Sequence, residues 1–191
     1  MGVPRQYLHE RLERVLFGQD EIRTRIAEMG TEITCDFAGS TLSVVTVLEG
    51  GALFMADLIR EIHLPLRIDS ISVDSYHGGI ASSGTVCFRE SRLPDVSGRD
   101  VLVLDDILDS GRTMAAVVRK LKEEGHPRSI KSAVLLSKRI ERSVPFEADY
   151  SGFDTGDEFV VGYGLDYRGE YRNLAVIGTL KPEYIEMEAC N

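Results

Sequence analysis

Apolar residues recur along the chain with two periods, and the alternation between them predicts the order of elements. From Gln19 to Phe37, the residues Ile22, Ile26, Met29, Ile33 and Phe37 fall on one helical face, which predicts an amphipathic helix. Ser43 to Leu48, SVVTVL, is a short run of strong β-formers and predicts a buried strand. Glu49-Gly50-Gly51 reads as a turn and Ala52 to Ile62 as a second helix, giving a strand–turn–helix unit. Leu66 to Tyr76 predicts a strand on Ile68, Ile71 and Val73. His77 to Gly84, HGGIASSG, is small, polar and glycine-rich, so a mobile loop is expected there. Thr85 to Phe88 resumes a strand, so the loop is expected to join antiparallel partners. Val101 to Leu104 is apolar again, and Met114, Val117, Val118 and Leu121 carry helical spacing towards Gly125. Ile130 to Ser137 and Glu158 to Tyr163 predict further strands. Strands that alternate with helices predict an α/β fold, a mainly parallel sheet with helices on both faces. No repeat, low-complexity tract or linker interrupts the pattern, so residues 1–191 are expected to form a single domain.

Composition narrows the function classes. Of the 191 residues 43% are hydrophobic, enough for a buried core. A formal net charge of -9 argues against a surface that tracks nucleic-acid phosphates. No apolar run reaches membrane-spanning length, and MGVPRQYLHE lacks a signal-peptide core, so no membrane partner and a cytoplasmic location are expected. Cys35, Cys87 and Cys190 are widely spaced and odd in number, which points to free thiols in a reducing compartment. His9, His63, His77 and His126 are equally scattered, and a histidine metal site is not expected.

The chemistry concentrates in Val101 to Met114, VLVLDDILDSGRTM. A buried strand ends in Asp105 and Asp106; Ile107, Leu108 and Asp109 follow, then Ser110-Gly111-Arg112-Thr113 and a helix start. In an open α/β sheet such a loop lies at the carboxyl end of a strand, where ligands bind. Small residues let backbone amides approach an anion, and the helix N-terminus adds a favourable dipole. One loop thus offers a phosphate cradle together with carboxylates for sugar hydroxyls or a metal ion. It is not a Walker A loop, because Asp106 stands where the first glycine is required, five residues before Gly111.

This run resembles the phosphoribosyl-pyrophosphate (PRPP) motif of type I phosphoribosyltransferases. Three other stretches resemble their 6-oxopurine branch, the hypoxanthine-guanine phosphoribosyltransferases: LLSKR at Leu135 to Arg139, DEFVVGYGLDYRGEYRNL at Asp157 to Leu174, and Ser75-Tyr76 before the glycine-rich loop. Together the likeness spans about Ser43 to Leu180. The resemblance implies a type I phosphoribosyltransferase-like fold. A flexible antiparallel hairpin forms the lid, and a small base-binding hood is built from the N-terminal segment and roughly residues 140–191. It implies the following roles. Asp105 and Asp106 hold the ribose hydroxyls, and Asp109, facing purine N7, is the catalytic proton acceptor. The amides of Asp109 to Thr113, through Gly111 and Arg112, hold the 5′-phosphate together with the hydroxyls of Ser110 and Thr113. Leu48, Glu49 and Gly50 form the pyrophosphate loop, with Arg172 near pyrophosphate, and Ser75 and Tyr76 open the lid. At the base, Lys138 donates to O6, Phe159 stacks and the Val160 backbone reads the purine edge. A lysine donates only, so it favours an acceptor oxygen over an amino group. Asp166 joins Asp105 and Asp106 in holding a Mg2+ ion. The implied partners are PRPP, a 6-oxopurine base, pyrophosphate and IMP or GMP, and the implied assembly is a homodimer or homotetramer.

Two positions depart from the pattern. Family members usually carry Leu-Lys-Gly in the first strand–helix loop, where this chain has Leu48-Glu49-Gly50. An acid beside a polyanion site is expected to point outward, towards a neighbouring subunit, with the glycines keeping the backbone available. Asp105 stands where many relatives carry Glu, and either residue can accept from ribose hydroxyls. Two rival readings remain: a PRPP- or nucleotide-sensing regulator with weak or no catalysis, and an adenine- or orotate-type transferase. The acidic charge and the retention of Lys138, Phe159 and Asp166 weigh against the first, and Lys138 with the Asp157 to Leu174 segment against the second.

Overall fold

A computed structural model describes residues 9–75, 86–89 and 93–185. Among the described residues, strands β1 (Leu12–Phe17), β2 (Leu42–Leu48), β3 (Leu66–Ser75), β4 (Val86–Phe88), β5 (Asp100–Leu108), β6 (Ser129–Lys138), β7 (Tyr150–Thr155), β8 (Val160–Val161) and β9 (Ile177–Leu180) are interspersed with α-helices. The helices are α1 (Gln19–Asp36), α2 (Ala52–Glu61) and α3 (Arg112–Lys120), the last continuing into a π-helical turn over Leu121–Gly125. The main sheet has six strands in the order β4-β3-β2-β5-β6-β7. All its neighbours pair in parallel except β3 and β4, which are antiparallel with Val73 opposite Phe88 and Ser75 opposite Val86. The glycine-rich loop expected between β3 and β4 lies outside the described residues.

Parallel strands covered on both faces read as continuous apolar runs. Here β2, β5 and β6 are buried over nearly their whole length. One face packs Leu42, Val44, Leu102, Leu104, Ala133 and Leu135 against Ile22, Ile26, Met29 and Ile33 of α1 and Phe54 and Leu58 of α2. The other packs Val45, Val47, Val101, Val103 and Val134 against Met114 and Val117 of α3 and Leu121 beyond it. Helices therefore cover both faces, as the alternation predicted. Helices α1 and α2 approach closely at Gly30, where a Cβ would stand 2.4 Å from the Glu61 Cβ.

A second, antiparallel sheet of three strands runs β1-β9-β8. Here the sequence expectation needs correcting. The strand expected over Glu158 to Tyr163 is only Val160–Val161, and Phe159 before it is half exposed. Gly162 and Gly164 take φ of 101° and 102°, which bends the chain out of any strand after two residues. Strands β1, β7 and β9 were not anticipated. LERVLF carries three exposed positions, and Gly152 and Asp154 interrupt the β-formers Tyr150, Phe153 and Thr155 of YSGFDT, so neither run alternates clearly and pairing with neighbours completes them as strands. Strand β7 lies within the stretch expected for the hood, yet it joins the six-stranded sheet beside β6.

Parallel register brings the carboxyl ends of β2, β3, β5 and β6 to one edge: Leu48 lies opposite Ser72 and Leu108 opposite Ser137. The loops that follow these strands share that edge.

Candidate active site

At the end of β5, Asp105 and Asp106 are 7% and 9% exposed. The Asp106 amide donates to Asp105 Oδ1 at 3.0 Å. Burial, and then repulsion from Asp106, push the Asp105 carboxyl well above the usual carboxylate range. Burial raises Asp106 as well, opposed by its hydrogen bond with Asp105 and by the charge of Arg172. Two acids held this way favour occupants that bring hydroxyl donors or positive charge.

The loop then turns at Gly111, whose φ of 79° is left-handed. A Cβ there would lie 2.4 Å from the Val144 carbonyl, so only glycine fits on both counts. The Val144 amide and the Ser143 hydroxyl donate to the Ser110 carbonyl at 3.1 and 3.2 Å, and Arg112 Nε donates to Ser143 Oγ at 3.0 Å. Helix α3 opens at Arg112, with its first bond from Ala115 N–H to the Gly111 carbonyl at 3.0 Å. A helix leaves its first amides without intrahelical partners, so this braced turn presents donors to an anion.

The turn after β2 packs against the same acids. The Leu48–Glu49 peptide is cis. A Cβ on Gly50 would stand 1.9 Å from Asp106 Oδ2, and one on Gly164 would stand 2.3 Å from the Gly50 carbonyl. Three separate segments, around residues 50, 106 and 164, thus touch through glycines. Arg172 ties the third in place: Nη1 donates to the Gly164 carbonyl at 2.5 Å and Nη2 lies 2.9 Å from Asp166 Oδ1. Asp166 Oδ2 accepts from the Gly169 amide at 2.7 Å. Glu49 keeps a side chain 75% exposed, with its Oε2 3.9 Å from Arg172 Nη2. The same Arg172 charge acts on Asp106.

At the end of β6, Lys138 is 8% exposed, and its Nζ lies 3.1 Å from Asp109 Oδ2 and 4.0 Å from Asp157 Oδ1. Phe159 presents a half-exposed ring, set edge-on to Tyr167 with centroids 5.7 Å apart. Val160 is buried beside it. Ser75 ends β3 on the same edge, and Tyr76 lies outside the described residues.

A model of the phosphoribosyl transferase domain matches residues 18–168, most of the chain. The chain belongs to that family. It is 42% identical over 176 residues to the hypoxanthine-guanine phosphoribosyltransferase of Streptococcus pneumoniae, covering 92% of this chain and 97% of that protein. It is 45% identical over 176 residues to the bifunctional protein TilS/HprT of Listeria innocua, where it spans only 27% of the relative's length. A crystal structure of a hypoxanthine phosphoribosyltransferase from Staphylococcus aureus superposes with a TM-score of 0.89 at 40% identity, covering 96% of this chain and all of that one. The α/β fold with its mostly parallel sheet is thus the phosphoribosyltransferase fold.

Within this phosphoribosyltransferase, two features escaped the sequence. Tyr163, between Gly162 and Gly164, donates its hydroxyl to Asp57 of α2, and burial pushes that hydroxyl's pKa up. The bond locks the Asp157–Leu174 segment to the helix that follows the Glu49 turn. Ser143 and Val144 brace the Ser110 carbonyl, and nothing in their local sequence marks them. Among the described residues, no three histidine, cysteine or acidic side chains gather closely enough to hold a metal ion unaided. Asp105 and Asp106 remain a hard-oxygen pair, as suits an ion that takes one or two carboxylates and completes its shell from substrate phosphates and water.

Proposed function

We propose that this protein is a purine-salvage enzyme. It transfers the 5-phosphoribosyl group of PRPP to N9 of hypoxanthine, guanine or both, giving IMP or GMP and pyrophosphate. The observation that carries this reading is the juxtaposition of Lys138 Nζ and Asp109 Oδ2 at 3.1 Å. A 6-oxopurine presents an acceptor, O6, and a protonated N7 side by side on one edge. A lysine donor next to a carboxylate acceptor is the complement of that edge, whereas adenine would place its amino group against a donor-only ammonium.

Each expected residue then has a task. Asp105 and Asp106 accept from the ribose hydroxyls, and the amides of Asp109 to Thr113 with the Ser110 and Thr113 hydroxyls hold the 5′-phosphate. Phe159 stacks on the base and the Val160 backbone reads its edge. N9 bonds to C1′ as the C1′–oxygen bond breaks, its electron pair leaving with pyrophosphate, and the N7 proton passes to Asp109. The sugar becomes cation-like between carboxylates, as in glycoside cleavage. Pyrophosphate departs towards Leu48, Glu49, Gly50 and Arg172, and closure of the lid opened by Ser75 and Tyr76 excludes water. Asp105, Asp106 and Asp166 would hold Mg2+ only jointly with the substrate's phosphates, and the ion would neutralise the diphosphate. We further infer a cytoplasmic homodimer or homotetramer. The free, exposed thiols of Cys35 and Cys87 support the reducing compartment, and the resemblance supports assembly.

Incubation with PRPP, Mg2+ and each of hypoxanthine, guanine and adenine tests the proposal. The expected products are IMP and GMP with stoichiometric pyrophosphate. Absence of any nucleoside monophosphate, with PRPP bound, would instead favour a sensor.

A further inference from the structure

The acid at position 49 faces the one cation that the pyrophosphate reading assigns to the leaving group. Glu49 Oε2 is 3.9 Å from Arg172 Nη2, and the same Nη2 lies 2.9 Å from Asp166 Oδ1. The other guanidinium nitrogen, Nη1, is held by the Gly164 carbonyl at 2.5 Å. The Glu49 side chain is 75% exposed and its pair is long, while the other two bonds are short and at a side chain 32% exposed. We propose that Glu49 is an internal competitor for Arg172. Its carboxylate takes one side of the guanidinium, a diphosphate must take that place on binding, and the acid returns when the diphosphate leaves. This rests on the reading of this turn and Arg172 as the pyrophosphate subsite. Glu49 thus weakens diphosphate binding and speeds product release, without touching the base or the ribose.

Geometry separates the movable contact from the fixed ones. Gly50 cannot retreat, since it abuts the Asp106 carboxylate and the Gly164 backbone. Arg172 stays anchored through Gly164 and Asp166. Only the exposed glutamate arm on the turn is free to swing. Each terminal guanidinium nitrogen carries two N–H donors, so releasing Glu49 leaves a donor on Nη2 for a diphosphate oxygen while the anchoring bonds stay in place.

The test is calorimetry of Mg-pyrophosphate binding to the full chain, its Glu49→Gln variant, Arg172→Gln and the double variant, at low and high salt. The expected result is roughly two- to fivefold tighter binding in Glu49→Gln, the range of an exposed ion pair, with the gain shrinking in high salt. In the Arg172→Gln background, removing Glu49 should give no gain, and inhibition of turnover by pyrophosphate should rise in parallel with affinity. A gain that persists without Arg172 would mean that Glu49 repels the ligand directly, and would overturn the competition. Equal affinity in wild type and Glu49→Gln would overturn it as well. Failure of every protein, wild type included, to bind pyrophosphate would sink the subsite reading itself.

Discussion

Replacing Gly50 with alanine tests whether the turn after β2 and the acids at the end of β5 work as one packed unit. The added Cβ would lie 1.9 Å from Asp106 Oδ2 and 2.7 Å from its Cγ. Ordinary contacts between such atoms are about 3.5 Å, so something must move by more than about 1 Å. Asp106 has little room to yield, being buried and tied to Asp105 through its own amide. The turn must therefore shift, carrying its backbone away from the diphosphate position. Overpacking of this kind costs about 1–3 kcal/mol. For a chain of this size that corresponds to a fall in Tm of roughly 2–12 °C. Displacing a substrate-positioning segment by about 1 Å costs on the order of 100-fold in rate. Steady-state kinetics with varied PRPP, alongside thermal unfolding, reads both effects. The expected outcome is a specificity constant for PRPP down about 100-fold, with the protein still folded. Gly18→Ala is the control, because nothing lies within 4 Å of the added Cβ. A folded Gly50→Ala variant with kinetics within about threefold of wild type would refute the claim that this close contact positions the loop.

Asp109→Asn should lower turnover by roughly 10- to 1000-fold with smaller changes in Michaelis constants, as expected for loss of a proton acceptor; unchanged turnover removes Asp109 from the mechanism. Lys138→Gln should erode the preference for hypoxanthine over adenine, since Gln can present either a donor or an acceptor, and an unaltered ratio of specificity constants would show that Lys138 does not read O6. Asp100, at the opposite end of β5, is bonded by Arg128 Nε at 2.9 Å and Ser129 Oγ at 2.7 Å, and Arg128 chiefly holds its carboxyl far below the usual range. A depressed folded-state pKa stabilises above the unfolded value of about 3.9 and loses that stabilisation as pH falls below it. Asp100→Asn should therefore cost about 1–2 kcal/mol at pH 7 in urea unfolding, and progressively less as pH falls from about 3.9 through the depressed folded-state value; a cost that stays constant over that fall contradicts the ion-pair account.

Much of the central layer was legible in the chain itself. Helices α1 and α2, strands β2, β3, β5 and β6 and the antiparallel partner β4 follow from periodicity, because burial on one face or two imposes a pattern on contiguous residues. The acids, glycine and small residues of Asp105 to Thr113 were equally legible, since one loop carries them at fixed offsets. Tertiary structure decided what depends on distant segments meeting. Strands β1, β7 and β9 are made by their partners rather than by their own composition. The run from Phe159 to Gly164 is bent by positive φ at Gly162 and Gly164, so it forms a half-exposed ring and a lock on α2 instead of a regular strand. Most telling is Glu49. Its identity was visible as a departure from a family pattern, but its direction was not. Arg172, 123 positions later in the chain, lies 3.9 Å from it because the segment around Gly164 packs against the turn after β2. Charge type is written residue by residue, whereas the partner of an exposed charge depends on which loops the sheet brings to one edge.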